Sequence, residues 1–365
     1  MNALGIVFSN INDKQVPEIT ENRIMASVPF GGRYRLIDFI LSNMTNSGII
    51  KTGIITKHNY QNLMDHLGTG KPWDLARKRG GIRLLQPHSG IDNHVDTLNG
   101  IAYYLDKASE EYVVLANCTT ILNISYTDVL KAHKKSGADI TVVYQKHEKE
   151  MQWKGNRIAF ELDEDHRVTN MKKKSHTKAG EALYLGTMIV RKDFLKLHVK
   201  LAADLGFTSL VDYWTAHRSD LNVQGYEFSE YYAHIDSLHS FMNSNLDLLD
   251  LQVREDLFRK PYRPIHTCVN DSQPTKYGPD AVVENSVIAD GCIINGVVKN
   301  SVISRGVKID KYAEVNNSVV MEGSSIGKYA TLNHIVTDKN VVIGDHRVLS
   351  GHETHPFFIE KGCNI

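Results

Sequence analysis

ENSVIADGCIINGVVKNSVISRGVKIDKYAEVNNSVVMEGSSIGKYATLNHIVTDKNVVIGDH, residues 284–346, consists of short β-branched pairs separated by turn residues. Apolar residues recur six positions apart, as at Ile303, Ile309 and Val315, and the tripeptide Asn-Ser-Val occurs three times. A six-residue period is typical of a left-handed parallel β-helix, in which three short strands form one triangular coil. Each coil buries its apolar side chains on the neighbouring coils. We therefore predict a left-handed β-helix (hexapeptide repeat) domain over residues 280–365.

The chain upstream of this repeat has a different pattern. Strand-like and helix-like segments alternate, and residues 127–136 predict a helix with Thr127 as its N-cap. Such alternation favours an α/β domain with a parallel or mixed, Rossmann-like sheet and helices on both faces. We assign this domain to residues 1–258. Residues 259–279 are rich in proline and turn residues and predict a linker.

Composition excludes several classes of protein. Lys+Arg and Asp+Glu both number 42, so the formal net charge is zero and gives no general attraction to nucleic acid or anionic lipid. The four cysteines show no metal-ligand spacing, and no apolar run approaches membrane-spanning length. We expect a cytoplasmic protein with reduced thiols.

One strand end raises the question of function. In VVLANCTTIL, residues 113–122, an apolar run stops at Asn117, Cys118, Thr119 and Thr120. The carboxyl ends of strands in α/β sheets are where ligands gather. A hard metal ion at such a site needs carboxylate oxygens, and this cluster supplies none.

Two long motifs carry a family resemblance. RIMASVPFGGRYRLIDFILSNMTNSGI, residues 23–49, and LGTGKPWDLARKRGGIRLLQP, residues 67–87, closely resemble the glucose-1-phosphate adenylyltransferases of bacterial glycogen synthesis. The resemblance implies a nucleotidyltransferase-like α/β domain followed by a left-handed β-helix. It also implies the reaction of ATP with glucose 1-phosphate to give ADP-glucose and pyrophosphate, with Mg²⁺.

The sequence departs from the family pattern where the nucleotide binds. Catalysts of the family have a glycine-rich GGxGxRL loop after the first strand, and it aligns here with residues 10–15, which contain no glycine. The arginine of that loop falls on Gln15, and Asp13 would repel a phosphate. The family lysine before the PFGG motif falls on Met25, whose thioether cannot neutralise phosphate charge.

The resemblance also implies that both metal ligands are lost. The aspartate of the family's GDH motif falls on Thr119, and that of its WxDVGT motif falls on His234. Nucleotidyl transfer depends mostly on positioning and charge neutralisation, and loss of one electrostatic group can cost roughly 100- to 1,000-fold in rate. We therefore predict no catalytic residue, no metal site and no cofactor in this chain.

The sugar-phosphate positions are less altered. The lysine of the family's EKP motif falls on Lys174, and the SMG motif becomes Tyr184, Leu185 and Gly186. The resemblance thus places Lys174 and Gly186 in a sugar-phosphate-like pocket, although Tyr184 is much larger than serine. The run 172–174 also fits a solvated loop.

Arginines cluster around the PFGG turn. By resemblance, Arg23 and Arg35 match basic positions that bind anionic effectors between the two domains, and Arg33 lies beside them. Arg305 and Lys308 of the β-helix are candidates to complete such a pocket. The alternative is that these side chains form ordinary salt bridges.

These departures resemble the D-type, regulatory branch of the family. We expect a catalytically degenerate subunit that pairs with a catalytic paralogue as a hetero-oligomer, namely a heterotetramer. We expect Mg²⁺ in the partner and a sugar phosphate as effector. Two alternatives stay open. One is a weakly active nucleotidyltransferase with Asp13 or Asp236 as rearranged metal ligands, and the other is a sugar-phosphate sensor without a partner.

Overall fold

The computed structural model describes residues 1–9, 13–56, 58–87, 93–147, 150–269 and 271–365, apart from the side chains of residues 151, 152 and 154–156. The N-terminal part contains a nine-stranded sheet and two short two-stranded pairings. Its strands are β1 (Ala3–Phe8), β2 (Pro29–Phe30), β3 (Tyr34–Arg35), β4 (Lys51–Ile55), β5 (Gly81–Leu85), β6 (Tyr112–Asn117), β7 (Thr120–Leu122), β8 (Ile140–Lys146), β9 (Met151–Leu162), β10 (Val168–Thr177), β11 (Ala182–Arg191), β12 (Val223–Glu227) and β13 (Tyr232–His234).

The large sheet is mixed. Its main path has the order β10-β9-β11-β6-β1-β4-β5, and β8 pairs with β11 and in turn with β12. Strands β6, β1, β4 and β5 are parallel, whereas β11 runs antiparallel to β6, β8 and β9. The predicted parallel or mixed α/β sheet is therefore confirmed in its mixed form.

Helices cover both faces of this sheet. Along β6, Val114 joins one buried cluster, while Val113 and Leu115 join the other, because successive strand residues point to opposite faces. The helices are α1 (Pro17–Thr20), α2 (Leu36–Asn46), α3 (Gln61–Leu67), α4 (His94–Gly100), α5 (Ala102–Asp106), α6 (Tyr126–Ser136), α7 (Lys192–Asp204), α8 (Leu210–Ala216), α9 (Leu238–Leu246) and α10 (Leu251–Phe258).

The predicted N-cap of α6 was wrong by two residues. The side chain of Ser125 accepts a hydrogen bond from the backbone N–H of Asp128, so Ser125 is the cap. The hydroxyl of Thr127 instead donates to the carbonyl oxygen of Ser47, 3.2 Å away. The Thr127 side chain thus makes a tertiary contact, and it does not cap the helix as its position in the sequence had suggested.

The C-terminal part is the predicted left-handed β-helix, with five parallel strands on each of three faces. Ile303, Ile309 and Val315 are all buried in its interior, which confirms the six-residue period. The first face consists of β14 (Lys276–Tyr277), β17 (Ile293–Ile294), β20 (Lys308–Ile309), β23 (Ser325–Ile326) and β26 (Val342–Ile343). The second consists of β15 (Val282–Glu284), β18 (Val297–Lys299), β21 (Glu314–Asn316), β24 (Thr331–Asn333) and β27 (Val348–Ser350). The third consists of β16 (Val287–Ile288), β19 (Val302–Ile303), β22 (Val319–Val320), β25 (Ile335–Thr337) and β28 (Phe357–Ile359).

The Asn-Ser-Val repeats form one corner of the β-helix. Asn285, Asn300 and Asn317 have positive φ angles of 40°, 46° and 47°, a region that asparagine tolerates better than most residues. The side-chain amide of Asn285 donates to the carboxamide oxygen of Asn300, 2.8 Å away. The repeat therefore both turns the chain and links successive coils.

The third face of the β-helix packs against the α/β domain. Val302, Val319 and Val336 point out of the β-helix and join the buried cluster that contains Phe39 and Phe241. This shared core positions the two domains, and polar residues line the clefts around it. Among the described residues, no helix is long and apolar enough to cross a membrane.

Candidate functional site

The structure brings the two predicted metal positions together. Strand β13 pairs antiparallel with β7, which places His234 opposite Thr120. The hydroxyl of Thr120 lies 3.1 Å from Nδ1 of His234, and the backbone N–H of Ile235 donates to the carbonyl oxygen of Thr119. Two segments far apart in sequence thus meet near the carboxyl end of β6.

The side chains at these positions do not fit a metal ion. Thr119 donates its hydroxyl hydrogen to the carboxamide oxygen of Asn117, 3.0 Å away. Burial, with a contribution from Arg157, lowers the pKa of His234 to about 3, so its imidazole is neutral at physiological pH. Among the described residues, no group of three or more His, Cys, Asp and Glu side chains could hold a metal ion. A threonine and a neutral imidazole supply none of the carboxylate oxygens that Mg²⁺ prefers.

A cavity of about 480 Å³ opens beside this pair. Its walls come from the sheet edge and from the loops around it. The lining residues that matter for its chemistry are Gln15, Asn117, Arg157, Lys173, Tyr184, Gly186, His234 and Asp236.

An ion pair forms part of the cavity wall. Nη2 of Arg157 lies 2.8 Å and Nε 3.2 Å from Oδ2 of Asp236, and both side chains are largely buried. The guanidinium also stacks over the ring of Trp153, 4.8 Å from the ring centroid. Asp236 was, with Asp13, a candidate for a replacement metal ligand. Its charge is instead neutralised by Arg157, a residue that the sequence did not single out.

The segment that replaces the glycine-rich loop is partly described. Gln15 ends a 3₁₀ turn, Asp13–Gln15, and lines the cavity. A carboxylate oxygen of Asp13 accepts a hydrogen bond from the backbone N–H of Met25, 2.8 Å away. Residues 10–12 lie outside the described residues. The carboxylate of Asp13 thus binds the backbone of the neighbouring turn, Met25–Ser27.

Met25 does not face the cavity. It is buried in the hydrophobic core, within the 3₁₀ turn Met25–Ser27. The position that resemblance assigns to a phosphate-binding lysine therefore contributes packing.

On the sugar-phosphate side, the structure corrects which lysine lines the cavity. Lys174 pairs with Glu181 and is not part of the wall, whereas Lys173 is, and its ammonium lies 2.7 Å from Asp212. Adjacent residues of β10 point in opposite directions, so the single-residue difference decides which one faces the site. The predicted solvated loop at residues 172–174 is a strand, and each of its lysines pairs with an acid.

Gly186 lies in the cavity wall and has a physical reason to be glycine. Its φ is +74°, and a Cβ atom there would lie 2.3–2.5 Å from three atoms of the Asn117 carboxamide. Any larger residue would displace that side chain. Asn117 and Gly186 therefore shape one wall of the cavity together.

A second cavity, of about 300 Å³, lies between the two domains. It gathers Arg33 and Arg35 from the α/β domain and Arg305 and Lys339 from the β-helix. Lys339 was not predicted, because nothing in its local sequence places it near the PFGG turn. Asp65 and Glu322 also line this cavity, and Glu322 accepts a hydrogen bond from Lys339, 2.6 Å away. Lys308 is exposed on the first face of the β-helix and is not part of the lining.

Two basic groups of this cavity act on Tyr34, which also lines it. Arg33 and Arg305 both act on the phenol of Tyr34, whose pKa is nevertheless raised because burial outweighs them. Arg305 is held by Asp290, with 3.1 Å between Nε and Oδ1. Gly32, at φ +78°, allows the turn to approach the β-helix, since a Cβ there would lie 3.2 Å from the carbonyl oxygen of Ile303.

Arg23 has a different role from the one predicted for it. Its Nη2 lies 2.8 and 2.9 Å from the two carboxylate oxygens of Asp338, across the domain boundary. The two side chains are only 4% and 3% exposed, and Arg23 does not line the interdomain cavity. The predicted effector contact at this residue is thus replaced by a buried ion pair that joins the domains.

Comparisons with known proteins agree with this architecture. Residues 14–205 match the model of the nucleotidyl transferase family, and residues 272–355 match that of the GlmU-like C-terminal hexapeptide family. A glycogen biosynthesis protein GlgD of Geobacillus stearothermophilus is 38% identical over 98% of this chain and 96% of its own length. GlgD of Bacillus subtilis is 30% identical over 84% of this chain and 81% of its own length. A glucose-1-phosphate adenylyltransferase of Clostridium novyi is 30% identical over 84% and 82%.

Proposed function

Because the chain belongs to the family of GlgD glycogen biosynthesis proteins and glucose-1-phosphate adenylyltransferases, we propose that it is a regulatory, catalytically degenerate subunit of glucose-1-phosphate adenylyltransferase. In this proposal it assembles in the cytoplasm with a catalytic relative, as a heterotetramer, and changes the kinetics of that relative. The reaction served is the formation of ADP-glucose and pyrophosphate from ATP and glucose 1-phosphate.

The observation that carries the proposal is the pair Thr119 and His234. They meet at the point where the family resemblance places two metal-binding aspartates, and neither is acidic. Mg²⁺ stabilises the charge that develops on the transferring phosphoryl group, and it needs carboxylate ligands to stay in place. The nearby Asp236 is already paired with Arg157. We therefore assign Mg²⁺ to the catalytic partner and no cofactor to this chain.

The interdomain cavity supports the regulatory part of the proposal. Arg33, Arg35, Arg305 and Lys339 line it from both domains, which suits an anionic ligand such as a sugar phosphate. A ligand that contacts both domains stabilises one relative arrangement of them. Binding there is coupled to the partner if that arrangement is the one the partner contacts.

The test is kinetic. A catalytic relative from the same bacterium is assayed with Mg²⁺, alone and with an equimolar amount of this chain, across a series of sugar phosphates. We expect the two chains to co-purify and the mixture to differ from the catalytic relative in KM or in its response to the effector. The same mixture with Arg305→Ala should keep its assembly and lose part of the effector response. Failure to co-purify, together with kinetics equal to those of the catalytic relative alone, would overturn the proposal.

A further inference from the structure

The sheet-edge cavity, the space of about 480 Å³ that Gly186 helps to line, has all its charged side chains paired. Nη2 of Arg157 lies 2.8 Å from Oδ2 of Asp236, and the ammonium of Lys173 lies 2.7 Å from a carboxylate oxygen of Asp212. Among the described residues, the lining contains no Asp, Glu, Lys or Arg besides Arg157, Lys173 and Asp236. No cation in this described lining is therefore free to pair with a charged ligand.

The two histidines of the lining are neutral at physiological pH. Burial, with a contribution from Lys173, lowers the pKa of His94 to about 4. The pKa of His234 is lowered further, to about 3, and burial is again the main cause. The ring of His94 stacks on Phe8, with 4.9 Å between the ring centroids. The sheet-edge cavity therefore offers uncharged polar groups and ion pairs that are already formed.

Several of these uncharged groups have no hydrogen-bond partner within the described part of the chain. They include the phenol hydroxyl of Tyr184, both ring nitrogens of His94 and Nε2 of His234. The amide nitrogen of Asn117 also has no acceptor there, although its carboxamide oxygen accepts a hydrogen bond from Thr119. Polar groups in a cleft that is partly closed to water favour a ligand that hydrogen-bonds to them.

The ion pair between Arg157 and Asp236 also limits the size of a ligand. Arg157, His234 and Asp236 line both the sheet-edge cavity and a neighbouring cavity of about 970 Å³. The ion pair thus lies at the boundary of the two spaces, and a ligand that extended through both would have to displace it. The smaller space is within the range of about 300–1,000 Å³ that is usual for small-molecule sites.

We infer that the sheet-edge cavity binds an uncharged, hydroxyl-rich molecule of the size of a single hexose. A hydroxyl group both donates and accepts, so it can match a phenol, a neutral imidazole and an amide nitrogen. Phe8, Leu115 and Met188 provide apolar surface for the C–H groups of a sugar ring. A phosphate group, in contrast, binds best to cationic donors, and here it would have to separate Arg157 or Lys173 from its carboxylate. The inference does not rest on the proposed function, because it requires neither a catalytic partner nor an effector.

Saturation-transfer NMR of the full chain, with glucose as the probe, tests the inference. We expect a Kd of about 1 mM, the strength usual for a ligand of about a dozen non-hydrogen atoms. Tyr184→Phe removes one hydrogen-bonding hydroxyl and should weaken glucose binding about fivefold, with urea unfolding unchanged. Tyr103→Phe is the matched control, because Tyr103 is 51% exposed on α5 and outside the cavity. Arg305→Ala, in the interdomain cavity, should bind glucose as wild type does, which distinguishes the two sites.

A second variant tests the role of the paired charges. Asp212→Asn leaves the ammonium of Lys173 without its carboxylate, so the affinity for glucose 1-phosphate should rise about tenfold. The affinity for glucose should stay within about twofold of wild type. These measurements use the Arg305→Ala background, so that the interdomain cavity contributes less to the signal. Asp220→Asn, at an exposed position outside the cavity, is the matched control and should change neither affinity.

Three outcomes would overturn the inference. The first is no glucose binding at concentrations up to about 20 mM, and the second is glucose binding that Tyr184→Phe leaves unchanged. The third is tighter binding of glucose 1-phosphate or adenosine than of glucose, with that binding weakened by Tyr184→Phe.

Discussion

The ion pair between Arg23 and Asp338 should be a major contributor to the contact between the two domains. Replacing Arg23 by methionine removes the guanidinium and leaves a carboxylate that is 3% exposed without its cation. Removal of one member of a buried ion pair typically costs about 3–5 kcal/mol. Because the backbone N–H of Lys339 still donates to Asp338, 2.7 Å away, we expect the lower end, about 3 kcal/mol. Equilibrium urea unfolding of Arg23→Met measures this loss in the free energy of unfolding.

A double-mutant cycle separates the pair from the packing around it. Asp338→Leu alone should cost a similar amount, because it leaves the buried guanidinium unpaired. The double variant Arg23→Met/Asp338→Leu removes both charges and should unfold within about 1 kcal/mol of wild type, since apolar replacements of a buried ion pair are often neutral. A loss below about 1 kcal/mol for Arg23→Met, or additive losses in the double variant, would refute the argument.

Three further predictions concern the two cavities. Gly186→Ala should lower the free energy of unfolding, measured in urea, by about 2–4 kcal/mol. The backbone of Gly186 has a positive φ, and the added Cβ would overlap the Asn117 carboxamide. A loss below about 1 kcal/mol would contradict this prediction. His234 is partly buried and has a pKa of about 3, whereas an unfolded histidine binds its proton below about pH 6.5. The contribution of His234 to the free energy of unfolding should therefore fall by about 1.4 kcal/mol per pH unit as the pH drops from 6.5 towards 3. In urea unfolding, His234→Asn should show a shallower pH dependence of stability than wild type over that range. An unchanged slope would contradict the prediction. Arg305→Ala should weaken sugar-phosphate binding, measured by calorimetry, about tenfold or more. Lys308 lies outside the cavity, so Lys308→Ala should bind as wild type does. Equal effects of the two substitutions would argue against the interdomain site.

The hexapeptide repeat predicted the β-helix well because a short stretch of neighbouring residues determines each coil. Each coil repeats the same short pattern, so Ile303, Ile309 and Val315 could be assigned to the interior from spacing alone. The direction of β11 in the large sheet could not be predicted, because apolar alternation is the same in parallel and antiparallel strands. Thr127 was misassigned because its hydroxyl is used by a residue 80 positions away.

The candidate sites were predictable only in part. Resemblance placed Thr119 and His234 in one site, and the fold brings them together. It could not identify Arg157, whose partner Asp236 is 79 residues away in sequence. Nor could it identify Lys339, which meets Arg33 and Arg35 of the other domain only in the folded protein. Lys174 does not line the cavity, whereas Lys173 does, because successive residues of a strand point to opposite faces.

We propose that this chain lacks the metal-dependent chemistry of its family. The most direct measurement is ADP-glucose formation by the purified chain alone, with ATP, glucose 1-phosphate and Mg²⁺, compared with the same mixture in EDTA. We expect no product above the EDTA background, because Thr119 and His234 supply no carboxylate oxygen to Mg²⁺ and Asp236 is paired with Arg157. Mg²⁺-dependent turnover well above that background, lost in Asp236→Asn, would contradict it.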